Sequence, residues 1–345
     1  METSTISAGH RLLADVEEAV HRRVVGQDDT IRGLLIALLT GGHVLLEGLP
    51  GLAKTLLVRS LADALHTSFR RIQFTPDLLP GDVIGMPVYH QGTGEFRIYK
   101  GPVFANLVLA DEVNRAPPKV QSALLEAMEE GQVTIDGTTY PLPRPFLVLA
   151  TQNPIEQQGT YPLAEAQLDR FMMKLRIEYP DREQEREILE RVALSPSESG
   201  GASDGSGEPI AHPEEHPEYG ASEGEASGTA ILEARAELDV VAVDRKVQEY
   251  IVAIIFATRE PAEAGLAEIG TLLEFGTSPR ATIFLARAAR ALAYLEGRDF
   301  VLPDDVKTMA YPVLRHRLRT TYEADARGIE ADQIIERILH TVPAP

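Results

Sequence analysis

Gly48-Leu49-Pro50-Gly51-Leu52-Ala53-Lys54-Thr55 is the stretch on which the fold reading turns. A short apolar run, HVLLE at 43–47, precedes it, and a helical pattern over 55–65 follows. Strand, glycine-rich turn and helix in that order build a phosphate-binding loop, because glycines let the backbone approach an anion and its N–H groups cradle it. In this reading residues 48–55 hold phosphates, with Lys54 reaching the outer ones and the Thr55 hydroxyl ligating Mg²⁺. Ala53 stands where a glycine is usual. A lysine in the first turn of a helix opposes the positive end of the helix dipole unless an anion lies between them. That favours the phosphate loop over an ordinary glycine-rich turn.

Downstream, LVLA at 107–110 runs straight into Asp111-Glu112, two adjacent carboxylates at the carboxyl end of a buried strand. Successive strand side chains point to opposite faces, so one acid can meet Mg²⁺ while its neighbour serves another role. Asp111 suits the metal shell, and Glu112 suits the base that positions an attacking water. The alternative is a helix-capping acid pair ahead of Pro117.

These runs, with FLVLA at 146–150, read as buried parallel strands alternating with helices, the signature of a doubly wound α/β sheet. The segment 118–130 carries Val120, Leu124 and Met128 at helical spacing, with proline at entry and Gly131 at exit. VTI, Asp136-Gly137 and TTY over 133–140 predict a β-hairpin. A second hairpin is expected over 87–99, turning at 91–94. Beyond a boundary near Tyr179 the chain reads as helical, over 246–257, 280–296 and 304–318. Two domains are therefore expected, an α/β core over 1–179 and a smaller all-α domain over 180–345, in keeping with 345 residues at about 150 per domain.

Residues 195–230 break the pattern: Ser, Gly, Pro and Ala with eight carboxylates and no Lys or Arg. The expectation there is a disordered acidic insertion, read as a tolerated surface feature without chemistry. It leaves −11 of the net charge of −19 on the rest of the chain. Such acidity repels phosphate backbones and argues against general nucleic-acid or anionic-membrane binding. Cysteine is absent, which removes disulfides, thiolate metal sites and a cysteine nucleophile. No apolar run approaches the ~20 residues of a membrane span, and the start lacks a secretory pattern, so the cytoplasm is the expected compartment. Only 6 of 33 basic residues are lysine, a bias compatible with a high-salt source.

Three further positions are candidates. Asn153 follows the strand 146–150 and could hold a water or the terminal phosphate, although Asn153-Pro154 also makes a turn and on spacing alone that is the stronger reading. Arg170, in LDRF, is equally a paired surface charge, and spacing does not decide. Arg280 follows Ser278-Pro279, a good helix start, so its charge sits where an anion should compensate it.

These residues in this order resemble the MoxR family of AAA+ ATPases. The strings that carry the resemblance are GLPGLAKT (48–55), QFTPDLLPGDVIG (73–85), LADEVNRAPPKVQSALLEAMEEGQVTIDG (109–137), LATQNPIEQQGTYPLAEAQLDRF (149–171) and SPRA (278–281). The Ala53 variant is typical of that family. The resemblance implies a P-loop AAA+ core with a parallel sheet and β-hairpin insertions, followed by a helical lid. It implies ATP and Mg²⁺, and a homo-oligomeric ring, usually a hexamer, with nucleotide at the seam between subunits. By the same resemblance Asn153 is sensor one, Arg170 an arginine finger for the neighbouring nucleotide, Arg280 sensor two, and Gln27 in VVGQD lies beside the adenine.

The implied function is a chaperone-like ATPase that remodels or activates a client enzyme complex, often with a partner bearing a von Willebrand factor A domain. The competing readings are a magnesium-chelatase-type ATPase subunit, a nucleic-acid motor of the same superfamily, and a nucleotide-gated binding module without hydrolysis. The net charge speaks against the motor, and the pairing of Glu112 with Arg170 against the last.

Overall fold

The computed structural model describes residues 8–49, 51–152, 159–194 and 221–345. Helices α1 (Ala8–His21) and α2 (Asp28–Thr40) lead into β1 (Val44–Glu47), and α3 (Lys54–Ala64) follows the glycine-rich turn. Next come β2 (Phe69–Gln73), the short α4 (Pro80–Ile84), and a hairpin of β3 (Gly85–His90) and β4 (Glu95–Lys100). Then follow β5 (Leu107–Asp111), α5 (Pro118–Glu130), a second hairpin of β6 (Gln132–Ile135) and β7 (Thr138–Pro141), β8 (Leu147–Gln152), α6 (Glu165–Leu168) and β9 (Met173–Arg176). The strands pair in parallel in the order β2-β5-β8-β1-β9.

Both sheet faces are covered, which is why the strands read as unbroken apolar runs rather than alternating ones. Val44, Leu46, Leu107, Leu109, Leu147 and Leu149 enter a core shared with α1, α2 and α3. Leu45, Val108, Ala110, Val148 and Ala150 enter the opposite core, against α5 and the hairpins. Both predicted hairpins are present. The second turns at Asp136 and Gly137, both at positive φ, 49° and 76°, as a tight Asp-Gly turn requires.

The rest of the chain is helical: α7 (Arg182–Leu189), α8 (Ala221–Glu237), α9 (Arg245–Arg259), α10 (Pro279–Leu295), α11 (Pro303–Leu314), α12 (Tyr322–Ala326) and α13 (Ala331–Thr341). Two short strands, β10 (Leu273–Phe275) and β11 (Arg319–Thr320), pair antiparallel beside them. The buried residues of α9, α10, α11 and α13 continue the core of α2.

Two expectations need correction. Residues 221–230, expected as part of a disordered insertion, belong to α8, while 195–220 lie outside the described residues. Ile231 and Ala234 are buried among residues of α1 and α2. A Cβ on Gly9 would meet Ala234 Cβ at 2.7 Å, so a glycine is what lets the two helices approach. The helix expected over 304–318 ends at Leu314, two residues past Pro312, and residues 315–317 form a turn.

Candidate nucleotide site

The carboxyl ends of β1 and β5 face the start of α3, and Lys54 lies there within electrostatic reach of Asp111 and Glu112. Gly48 leaves β1 closely packed, since an added Cβ would lie 3.0 Å from the Ile177 carbonyl oxygen. Gly51 has φ +86°, a conformation that favours glycine. Ala53 caps α3 at φ 52°, also left-handed, which explains why glycine is usual at that position and assigns the alanine a conformational cost. Pro50 lies outside the described residues. Leu52 packs on the core, and Thr55, half-buried, is the second residue of α3.

Lys54 opens α3 and donates through Nζ to the Gly48 carbonyl oxygen. Burial pulls its ammonium below the usual lysine range, while the charges of Asp111, Glu112 and Glu47 pull it back up. The amine is thus half out of water and within electrostatic reach of both predicted acids.

Asp111 is the last residue of β5. Its Oδ1 accepts from the Thr151 hydroxyl at 2.5 Å, and its Oδ2 accepts from Arg71 Nη2 and Nε at 2.6 and 3.1 Å. Glu112 does not continue the strand: φ 56° and ψ 48° turn it into the left-handed region. The two carboxylates therefore diverge through a strained residue and not, as strand alternation suggests, through the pleat. Glutamate in this region costs on the order of 1–2 kcal/mol and persists where the surroundings fix it. Here the Glu112 N–H donates to Thr151 Oγ1 at 2.8 Å, and its carboxylate is held by Gln73 Nε2 and Arg115 Nε, each at 3.0 Å.

Arg170 and Arg280 sit together elsewhere. Arg170 Nε donates to Glu129 Oε2 at 2.8 Å, and Arg280 Nη2 pairs with the other oxygen of the same carboxylate. Arg280 also lies 3.9 Å from Asp169 Oδ2. Neither arginine pairs with residues 48–55, 111 or 112. Asn153 lies outside the described residues.

Gln27 occupies a third place. It precedes α2 at φ 63°, donates from Nε2 to the Glu178 carbonyl at 2.9 Å, and lines a chamber of about 940 Å³ with Thr30, Gly33, Leu175 and Tyr179. Among the described residues, none of 48–55, 111 or 112 lines that chamber.

Sequence reading missed Arg71, Gln73, Thr151 and Arg317. Nothing in the spacing of Arg71 and Gln73 places them beside carboxylates some forty positions away. No group of three or more possible metal-ligating side chains occurs among the described residues. One hydroxyl, Thr55, and one carboxylate, Asp111, suit Mg²⁺, which keeps several waters and takes its other ligands from phosphate. No helix of the described residues is long and apolar enough to cross a membrane.

A glycine-rich turn between β1 and α3, an acid pair at the end of β5 and a helical region beyond the sheet form an AAA+ ATPase fold, and comparisons with known proteins agree. Residues 43–173 match the ATPase family associated with various cellular activities (AAA), and residues 267–338 match the AAA lid domain. Chaperone MoxR1 of Mycobacterium tuberculosis is 46% identical over 327 residues, 94% of this chain and 80% of that protein. YeaC of Bacillus subtilis is 44% identical over 97% of this chain and 96% of its own length. A crystal structure from Cytophaga hutchinsonii, assigned as an ATPase, superposes with a TM-score of 0.83 at 48% identity, covering 98% of this chain and 96% of that one. The chain belongs to the MoxR family of AAA+ ATPases.

Proposed function

We propose that the protein hydrolyses ATP in a closed ring, with each active site completed by the neighbouring subunit, and uses the cycle to remodel or activate a client protein. The observation that carries this reading is the separation of charges: Lys54, Asp111 and Glu112 gather at one place, while Arg170 and Arg280 share Glu129 at another. Charge that builds on a transferring phosphoryl group needs positive groups beyond Lys54, and the nearby Arg71 and Arg115 are engaged with Asp111 and Glu112. Two arginines engaged elsewhere on the same chain supply them when a head-to-tail neighbour brings its own pair.

Residues 48–55 would bind the phosphates through backbone N–H groups, with Lys54 on the outer ones and Gln27 toward the base. Magnesium, held by Thr55 and Asp111, would offset phosphate charge. Glu112 would accept a proton from the attacking water once its carboxylate leaves Gln73 and Arg115. Thr151 fixes the backbone from which both acids project. Asn153, next in chain to Gln152, is assigned the sensor role by family resemblance alone. Division near 179 into core and lid, a hexameric ring, a von Willebrand factor A domain partner, a client complex and a cytoplasmic setting belong to the same reading. The match to Chaperone MoxR1 over 94% of this chain favours it over a chelatase subunit or a nucleic-acid motor.

Mixed rings test it. Lys54→Ala subunits, unable to bind ATP, are combined with Arg170→Ala subunits, expected to be slow by about 1000-fold. Restored phosphate release supports completion between subunits, and mixtures no faster than their components refute it.

A further inference from the structure

We propose that Arg317 is a positioning residue that fixes the loop carrying Arg170, and that Asp169 is the joint through which the helical lid sets Arg170 and Arg280 as one unit. This rests on the trans-arginine reading above and adds the residues that hold the pair in place.

All five N–H groups of the Arg317 guanidinium find acceptors. Nε donates to Asp169 Oδ1 at 2.9 Å, Nη2 to the carbonyls of Asp169 and Phe171 at 2.9 and 2.6 Å, and Nη1 to the carbonyls of Met172, at 3.1 Å, and Val313. Three of those carbonyls belong to the segment 169–172, and two of them, Asp169 and Phe171, flank Arg170 on either side. The side chain is 2% exposed. Its flat face lies over the Phe284 ring of α10, 5.1 Å from the centroid. His316 Nε2 adds a 3.0 Å contact to the Phe171 carbonyl.

Asp169 gathers the other half. Its two oxygens accept from the Ser278 hydroxyl at 2.9 and 2.8 Å, and the same hydroxyl accepts the Arg280 N–H at 3.1 Å. Ser278 is the N-cap of α10, so the carboxylate beside Arg170 also grips the helix start that presents Arg280. Glu129 completes the unit at the tips of both arginines.

Packing alone does not call for an arginine here. A buried guanidinium pays a desolvation penalty of several kcal/mol, and apolar replacements of buried ion pairs are often neutral or stabilising. Burial draws Arg317 down to about 10 against the pull of Asp169, so the group stays charged at neutral pH. What an apolar side chain could not do is fix three carbonyls of the segment 169–172 and a carboxylate at once. Lysine could not either, having three donors on one point instead of a planar fork.

Mixed rings of the full chain separate positioning from folding. Arg317→Lys is placed either on the subunit that donates the arginine, beside Lys54→Ala, or on the subunit that hydrolyses, beside Arg170→Ala. Positioning predicts at least a tenfold loss of restored turnover in the first placement and less than twofold in the second, with the KM for ATP unchanged. Ser278→Gly, which keeps a tolerated helix cap and removes the hydroxyl on Asp169, should show the same asymmetry to a smaller degree. Equal losses in both placements, including loss through misfolding, or no loss in either, overturn the proposal. If the parent mixture of Lys54→Ala and Arg170→Ala fails to recover turnover, the trans-arginine reading itself falls; if it recovers and the asymmetry is missing, only the joint falls.

Discussion

The Thr151 hydroxyl donates to Asp111 Oδ1 at 2.5 Å from a side chain only 1% exposed. Because the same oxygen accepts the Glu112 N–H, one threonine on β8 fixes both acids at the end of β5. Valine has the same shape without the hydroxyl, so Thr151→Val leaves a half-buried N–H unpaired, at a cost of about 1 kcal/mol. Thermal melts should show that loss, and phosphate release should fall by more than tenfold. Thr151→Ser should keep most of both. A Thr151→Val protein with wild-type turnover would show that the hydroxyl does not place the acids.

Lys54 and Glu112 should separate binding from turnover. Lys54→Ala removes the only amine at the phosphate loop and is expected to abolish ATP binding in titration calorimetry. Glu112→Gln keeps the shape and removes the base, so it should bind ATP with near-normal affinity and release phosphate at least 100-fold more slowly, general-base catalysis being worth 10²–10⁴. Robust turnover by Glu112→Gln would take Glu112 out of the base role.

Ala53 at φ 52° bears a left-handed backbone that costs an alanine on the order of 1–2 kcal/mol, and glycine escapes it while losing about 0.4–1 kcal/mol through the unfolded chain. Ala53→Gly should therefore raise stability by about 0.5–1 kcal/mol, read as a melting temperature higher by roughly 1–3 °C. An unchanged or lower midpoint would mean that the loop relaxes the alanine by other means.

The elements legible in the sequence are those with local signals. Buried runs marked β1, β5 and β8, Asp136-Gly137 marked the second hairpin, and Pro118 with Gly131 bounded α5. Helix α8 was hidden because small residues give it no apolar stripe; it depends on the close approach of Ala234 to Gly9, far away in sequence. The acid pair was legible too, but not the left-handed turn that parts it, since nothing local marks Glu112 for that conformation. Arg71 and Gln73 lie about forty residues from the carboxylates they hold, and Arg317 lies 148 from Asp169. Those pairings exist only after the sheet and lid have formed.

His43 should make the protein acid-sensitive. The ring is buried just before β1, its Nδ1 accepting the Val148 N–H at 3.0 Å and its Nε2 donating to the Met128 carbonyl at 3.0 Å. That pattern needs the neutral ring, and burial lowers its pKa to about 4 from an ordinary 6.5. Between those values the unfolded chain takes up a proton that the folded chain refuses, so stability rises with pH and falls as pH drops from about 6.5 to 4. The full effect is about 3 kcal/mol, at about 1.4 kcal/mol per pH unit. His316, also buried and also pushed well below its usual value, adds a loss of the same sign. Urea midpoints of the wild type and His43→Gln, measured at intervals from pH 7 to 4.5, should converge as pH falls, because the variant lacks the proton that penalises the native histidine. A difference that stays constant across the range would place the acid sensitivity elsewhere. The proton falls on Nδ1, so it opposes the Val148 N–H near the start of β8 and leaves the Nε2 bond to the Met128 carbonyl in place.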